Sequence, residues 1–151
     1  MTVSGRSGGT GRARDGRQAA ALPFRRRSGK LEVLLITSRE TRRWIIPKGK
    51  IDPGMSRRQA AAQEALEEAG VIGEIGDKPL GSFVYAKRRP TGLIEMIEAD
   101  VFALSVAAEL GEWQESHQRE RRWFAPGVAA SSVDETDLAA LIRGFAADFA
   151  I

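Results

Sequence analysis

Cysteine is absent from this sequence, and histidine occurs once. The lack of cysteine excludes disulfides, thiolate nucleophiles and zinc–thiolate sites, and a single histidine excludes a histidine-rich metal centre. Any metal ion must therefore be held mainly by oxygen atoms. No apolar stretch approaches the ~20 residues of a membrane-spanning helix, and no apolar run follows the first arginines as in a secretory signal. We therefore expect a cytoplasmic protein that makes no membrane contact.

Aromatic residues are also scarce, at 7% of the sequence, and they do not alternate with basic residues. A platform for single-stranded nucleic acid needs that alternation, so we expect no nucleic-acid partner. The formal net charge of +3 still favours a polyanionic partner, which we expect to be a small phosphate-rich substrate. The sequence leaves open whether the protein is a monomer or a homodimer.

The length of 151 residues, of which 42% are hydrophobic, predicts a single domain with its own core. Residues 1–16 are mostly glycine, serine, threonine and arginine, which bury little apolar surface, so we expect a disordered basic tail. The domain is predicted to span residues 17–151.

Apolar patterning predicts strands over residues 31–38, 71–75, 80–87 and 93–106. Helical spacing of Leu138, Ile142 and Phe145 predicts a closing helix, and Ser132 with Glu135 predicts a capping box at its start. A further helix is predicted between the first and second of these segments. This order of elements indicates an α/β fold in which a mixed sheet lies between helices.

Three carboxylates share one side of that central helix. With Glu64 at zero, Glu68 lies at roughly +40° and Glu67 at roughly −60°, because each helical residue turns the chain by about 100°. Like charges at this spacing destabilise a helix, whereas a hard divalent cation would reverse the sign of the effect. The helix alone is compatible with either a metal site or a solvated acidic face.

The loop before the helix favours the metal site. Lys48, Gly49 and Lys50 lie in a turn-rich segment, and Ser56 with Gln59 predicts a capping box where the helix begins. Loop amides, lysines and a helix start suit a bound anion. Phosphate beside metal-binding carboxylates is the usual arrangement of a phosphoryl-transfer site.

Residues 49–71 resemble the Nudix box, whose pattern is Gly, five residues, Glu, seven residues, Arg-Glu, an aliphatic, any residue, Glu-Glu, any residue, Gly and an aliphatic. The residues in register are Gly49, Glu64, Glu67, Glu68, Gly70 and Val71. The resemblance implies a Nudix-type α/β/α sandwich and metal-dependent hydrolysis of a pyrophosphate bond. It also implies that Mg²⁺ or Mn²⁺ is bound by Glu64, Glu67, Glu68 and a backbone carbonyl at Gly49.

Two positions depart from the box. Met55 stands where the family has Glu, and Gln63 stands where it has Arg. In the family these two residues pair with each other or orient the metal-binding glutamates. Their joint replacement leaves a second hypothesis open, in which a Nudix-like domain binds a nucleotide or phosphate as a sensor without hydrolysing it.

Residues 112–124 resemble the diphosphoinositol polyphosphate phosphohydrolase group of the family, in which a Trp, a nearby Glu and an arginine-rich run lead into Trp-Phe. The resemblance makes Glu115 a candidate metal ligand or catalytic base, with Glu67 as the other candidate base. The alternative for Glu115 is an ion pair with Arg119 or Arg121. The implied substrate is a diphosphoinositol or diadenosine polyphosphate.

Basic residues near the box are candidates for binding the phosphates of that substrate. Guanidinium groups suit bidentate phosphate contacts, although loop arginines and charged hairpin tips are also common as solubilising features. The predicted substrate-binding residues are Arg39, Arg42, Arg43, Lys48, Lys50 and Arg88.

Overall fold

The structure is a computed structural model that describes residues 17–149, so the predicted tail at residues 1–16 lies outside the described residues. Eight strands in the described range form one mixed sheet. The strands are β1 (Gln18–Arg27), β2 (Lys30–Thr37), β3 (Trp44–Ile45), β4 (Lys48–Lys50), β5 (Val71–Ile75), β6 (Gly81–Arg88), β7 (Ile94–Glu109) and β8 (Arg121–Phe124). The helices are α1 (Arg57–Glu64), continued by a π-helical segment (Ala65–Ala69), α2 (Pro126–Ser132) and α3 (Thr136–Phe149).

Strand β1 lies at the centre of the sheet. It pairs antiparallel with β2 and β4 and parallel with β7, so the predicted mixed sheet is confirmed. Strand β7 extends to Glu109, beyond the predicted end at residue 106, because its last residues pair with β5.

The two faces of β1 enter different cores. Ala19 and Ala21 pack toward α1, whereas Ala20 and Leu22 pack toward α2 and α3. The small alanines let α1 approach the sheet closely, and Ala61 of that helix is fully buried. The predicted sandwich with helices on both faces is therefore confirmed.

The helix ends agree with the sequence at one of two predicted capping boxes. Ser56 accepts a hydrogen bond from the Gln59 N–H, and the Gln59 side chain accepts one from the Ser56 N–H. The prediction for Ser132 was wrong, because that residue ends α2 and its hydroxyl donates to the Val128 carbonyl at 2.7 Å. The Glu135 side chain therefore takes no part in a capping box and can contact another residue.

Gly70 ends the π-helical segment in the left-handed conformation, with φ of 66°. A Cβ at this position would overlap the ring of Trp113 and the guanidinium of Arg121. Glycine is therefore required both by the backbone conformation and by the close approach of the loop that follows β7. Within residues 17–149, none of the helices is both long enough and apolar enough to cross a bilayer.

Candidate active site

The loop between β7 and β8 is docked on the carboxyl end of the π-helical segment. Helix ends leave carbonyls without intrahelical partners. Here the Glu67 carbonyl accepts from the Glu115 N–H at 3.1 Å, and the Glu68 carbonyl accepts from Trp113 Nε1 at 3.0 Å. Arg121 Nη1 donates to the Ala69 carbonyl at 2.9 Å. These bonds fix Glu115 beside the glutamates of the helix.

Glu64 and Glu68 form the centre of the site. Their carboxylates are neighbours, and a Cβ on Gly49 would overlap the Glu64 carboxylate. Burial, followed by the neighbouring Glu68, raises the pKa of Glu64 to about 8. The Lys48 N–H donates to Glu68 Oε1 at 3.2 Å. Two adjoining carboxyl groups that are costly to ionise, beside the Gly49 backbone, make an oxygen-rich environment in which a hard cation would be favourable.

Glu67 is directed elsewhere. Its Oε2 accepts a hydrogen bond from Gln63 Nε2 at 2.7 Å, and the residue lines a separate cavity of about 570 Å³ together with Trp113. Among residues 17–149 no three acidic or histidine side chains converge on one point where an ion could be held. The residues that fit a cation in this arrangement are therefore Glu64, Glu68 and Gly49.

Gln63 and Met55 have separate surroundings. Met55 packs against the apolar cluster beneath α1, whereas Gln63 orients the Glu67 carboxylate through its amide. The amide therefore supplies one hydrogen bond to a glutamate, which is part of what an arginine would supply, without the positive charge.

Arg119 was not predicted as a site residue, and its side chain is only 6% exposed. Its Nε donates to Glu115 Oε1 at 2.7 Å, its Nη1 donates to the Thr37 carbonyl at 3.0 Å, and its Nη2 lies 3.5 Å from Glu68 Oε2. Glu115 is thus paired with Arg119 in this structure, which is one of the alternatives that the sequence left open. The sequence carries no signal for Arg119 beyond its place in an arginine-rich run.

A cleft of about 650 Å³ opens over the Glu64 and Glu68 carboxylates. Five of the six predicted substrate-binding residues line it, together with Lys87 and Arg119, which were not predicted. The five are Arg39, Arg43, Lys48, Lys50 and Arg88. Arg42 is not among the lining residues, and its Nη2 lies 3.8 Å from Glu120 Oε1. The cleft therefore places a cationic wall beside a pair of carboxylates.

Lys48 is a partly buried cation of this wall. Burial lowers the pKa of its ammonium group to about 8, although the nearby Glu68 acts in the opposite direction. Its Nζ lies 4.4 Å from the centre of the Tyr85 ring, and the Tyr85 hydroxyl donates to Gln18 Oε1 at 2.7 Å. The ammonium therefore covers the face of the tyrosine, and both residues line the cleft.

Comparison with protein families agrees with this geometry. A family model described as the NUDIX domain matches residues 15–147. Nudix hydrolase 12, mitochondrial, of Arabidopsis thaliana is 38% identical over 98 residues, which cover 63% of this chain and 48% of that protein. Diphosphoinositol polyphosphate phosphohydrolase 2 of Rattus norvegicus is 34% identical over 110 residues, which cover 72% of this chain and 57% of that protein.

The chain spans about half the length of the first curated relatives that it matches. Among solved structures, a binary complex of C. elegans Ap4A hydrolase superimposes with a TM-score of 0.67 at 25% sequence identity. The match covers 89% of this chain and 97% of that chain.

Proposed function

The chain belongs to the Nudix family, and we propose that it is a hydrolase that cleaves a pyrophosphate bond in a highly anionic substrate. One observation carries the proposal. A single cleft holds the adjoining Glu64 and Glu68 carboxylates, the Gly49 backbone and a wall of arginine and lysine side chains. Carboxylates that can hold a cation beside groups that bind phosphate are what phosphoryl transfer requires.

The proposed cofactor is Mg²⁺ or Mn²⁺, held by Glu64, Glu68 and the Gly49 carbonyl, with Glu67 joining if its carboxylate turns from Gln63. A bound divalent cation neutralises charge on phosphate oxygens and lowers the pKa of water. Lys48 and Arg43 would bind and orient the phosphates in the same cleft. The attacking water forms a bond to phosphorus, the bridging P–O bond breaks, and the departing phosphate carries away the electron pair.

Either Glu115 or Glu67 is proposed to accept the proton of the attacking water. Glu115 lies beside Glu68 through their common partner Arg119, so it is within reach of the carboxylate pair. Glu67 is held by Gln63 and would need a change of side-chain orientation. The present geometry therefore favours Glu115.

Among the possible substrates we favour a diphosphoinositol polyphosphate over a diadenosine polyphosphate. Tyr85 is the one aromatic side chain among the described residues lining the cleft, and Lys48 covers the face of its ring. A nucleobase usually binds by stacking on such a face, whereas a phosphorylated ring needs only cations. The rat relative at 34% identity carries a diphosphoinositol polyphosphate name, and this likeness supports the same preference.

A sensor without hydrolytic activity is the second candidate function. It is favoured by Gln63, which holds Glu67 through a neutral amide and directs it away from the cleft. A domain with fewer carboxylates in place would bind phosphates but hydrolyse them slowly.

Substrate turnover distinguishes the two candidates. We expect phosphate release from diphosphoinositol polyphosphates with Mg²⁺ or Mn²⁺, and slower or no turnover of diadenosine polyphosphates and nucleoside triphosphates. The measurement is phosphate and pyrophosphate release from each substrate across both metals, with chelator as the blank. Binding of all these compounds without turnover of any would favour the sensor and contradict the proposed hydrolysis.

Substitution of Gly49 by alanine tests the contact at the centre of the site. The added Cβ would overlap the Glu64 carboxylate and displace it, so we expect kcat to fall by roughly 10- to 100-fold, as small misplacements in active sites do. Gly111→Ala is the matched control, because its Cβ would enter open space. Full activity of Gly49→Ala would show that the position of Glu64 does not matter for catalysis.

A further inference from the structure

The segment between α2 and α3 places two carboxylates behind Arg43. Val133, which is buried, forms a parallel bridge with Trp44, and this bridge holds residues 133–135 beside the start of β3. As a result, Asp134 Oδ2 lies 3.2 Å from Arg43 Nη1, and Glu135 Oε2 lies 3.4 Å from the same nitrogen. The segment between α2 and α3 thereby contacts Arg43, which is one of the cations that line the cleft.

The two carboxylates differ in burial. The side chain of Asp134 is 66% exposed, whereas that of Glu135 is 14% exposed. Exposed ion pairs contribute little, so Glu135 is the firmer support for the guanidinium. The Glu135 Oε1 atom is buried and has no hydrogen-bond partner within residues 17–149. Burying a carboxylate oxygen without a hydrogen bond is unfavourable, so the position of the Glu135 side chain needs an explanation other than packing.

Arg43 is held on more than one side. Its backbone N–H donates to Ser38 Oγ at 3.0 Å, and its Nε donates to Thr41 Oγ1 at 3.2 Å. With Nε and Nη1 both directed at protein oxygens, the plane of the guanidinium is fixed. In the described part of the chain Nη2 donates to no protein acceptor, and Arg43 lines the cleft. One edge of a fixed guanidinium is therefore left for a ligand.

We propose that Glu135 is a positioning residue for substrate binding, which fixes the Arg43 guanidinium from behind so that its Nη2 edge serves the phosphate groups in the cleft. The inference rests on the proposed function, because it takes the ligand of Arg43 to be a substrate phosphate. A side chain that is already ordered loses less entropy when it binds. The contribution of Glu135 is therefore to affinity, and the chemical step is unaffected.

Two substitutions separate positioning from simple electrostatics. Glu135→Asp keeps the charge but withdraws the carboxylate from Arg43 by one methylene. Glu135→Gln keeps the reach and an acceptor oxygen but removes the charge. If Glu135 only reduced the positive charge of the cleft, Gln would tighten anion binding and Asp would leave it unchanged. Positioning also allows the Gln variant to bind at least as tightly as the native chain, but it predicts that the Asp variant loses affinity, so the Asp variant separates the two explanations.

The probe is inositol hexakisphosphate, which has no pyrophosphate bond and is therefore bound without being consumed. We expect its dissociation constant, measured by calorimetry with and without Mg²⁺, to rise roughly three- to tenfold in Glu135→Asp, the range for freeing one ordered side chain. In turnover assays KM should rise by a similar factor with kcat unchanged. Glu74→Asp is the matched control, the same one-methylene shortening on an exposed residue of β5 that does not line the cleft, and should bind as the native chain does.

A double-mutant cycle tests the route through Arg43. In an Arg43→Ala background, Glu135→Asp should cause no further loss, because residues that act through each other are not additive. Unchanged affinity of Glu135→Asp, a loss that persists without Arg43, or a loss that follows a lower thermal midpoint would each overturn the inference alone. Failure of the native chain to bind the probe in either condition would overturn the proposed substrate class, and the inference with it.

Discussion

Replacing Glu64 by glutamine should lower kcat by roughly 100-fold or more. Glu64 is one of the two adjoining carboxylates that fit a divalent cation, and the cation is expected to supply several kcal/mol of transition-state stabilisation, at 1.36 kcal/mol for each factor of ten. The thermal midpoint of the metal-free protein should stay the same or rise, since the substitution removes a carboxyl group whose ionisation is opposed by burial and by Glu68. Loss of activity without loss of stability is the expected signature.

Glu74→Gln is the matched control for this prediction, because Glu74 is an exposed residue of β5. Addition of Mg²⁺ should raise the thermal midpoint of the native chain and of the control, but not that of Glu64→Gln, since a ligand stabilises only the state that binds it. Glu67→Gln belongs in the same experiment. A larger loss of activity in Glu67→Gln than in Glu64→Gln would contradict our assignment and would show that Glu67 turns into the cleft when the cation binds.

Replacing Arg119 by alanine should cost about 3 kcal/mol of folding free energy, the low end of the range for breaking a buried ion pair. The substitution leaves Glu68 and Glu115 without their shared cation and the Thr37 carbonyl without its donor. The low end is expected because Glu68, whose pKa is already raised by burial, can take up a proton. For a protein of this size the thermal midpoint should fall by roughly 6–12 °C.

Arg122→Ala provides the comparison. Arg122 pairs with Glu120 at 2.9 Å, but both side chains are about half exposed, so its removal should change the unfolding free energy little. Chemical denaturation of the two variants and the native chain measures both effects. Equal destabilisation by the two substitutions would show that the burial of Arg119 adds nothing, and an unchanged Arg119→Ala variant would exclude the predicted role of the buried pair.

The parts of the fold that the sequence predicted correctly depend on local chemistry. Ser56 and Gln59 form the predicted capping box because both partners lie within one helical turn. Four of the eight strands, β2, β5, β6 and β7, were predicted because their alternating or continuous apolar residues follow the pattern of a buried strand. Ser132 and Glu135 have the same spacing as the true capping box, but α2 extends through Ser132, so that pattern predicted a helix start in the wrong place.

The parts of the candidate site that lie within one segment of the chain could be predicted from the sequence. The Gly49 and Glu64 positions follow from a single motif, and the structure brings the two into contact. Helical angles placed Glu67 with Glu64 and Glu68, but they ignore the side-chain torsions and the amide of Gln63 that direct it away. The angle of a residue around the helix axis gives the direction in which its side chain leaves the backbone. It does not give the position of the carboxylate at the end of that side chain.

The sequence by itself determined the chemical type of this site, because the absence of cysteine, the spacing of the glutamates and the lysine-rich loop are properties of composition and local order. Only the tertiary structure decided which cations and carboxylates meet. Arg119 reaches Glu68 from a loop 51 residues away, and Glu135 reaches Arg43 across 92 residues. Such contacts depend on how the sheet packs against the helices that close the fold. That packing cannot be predicted from a repeating pattern along the chain.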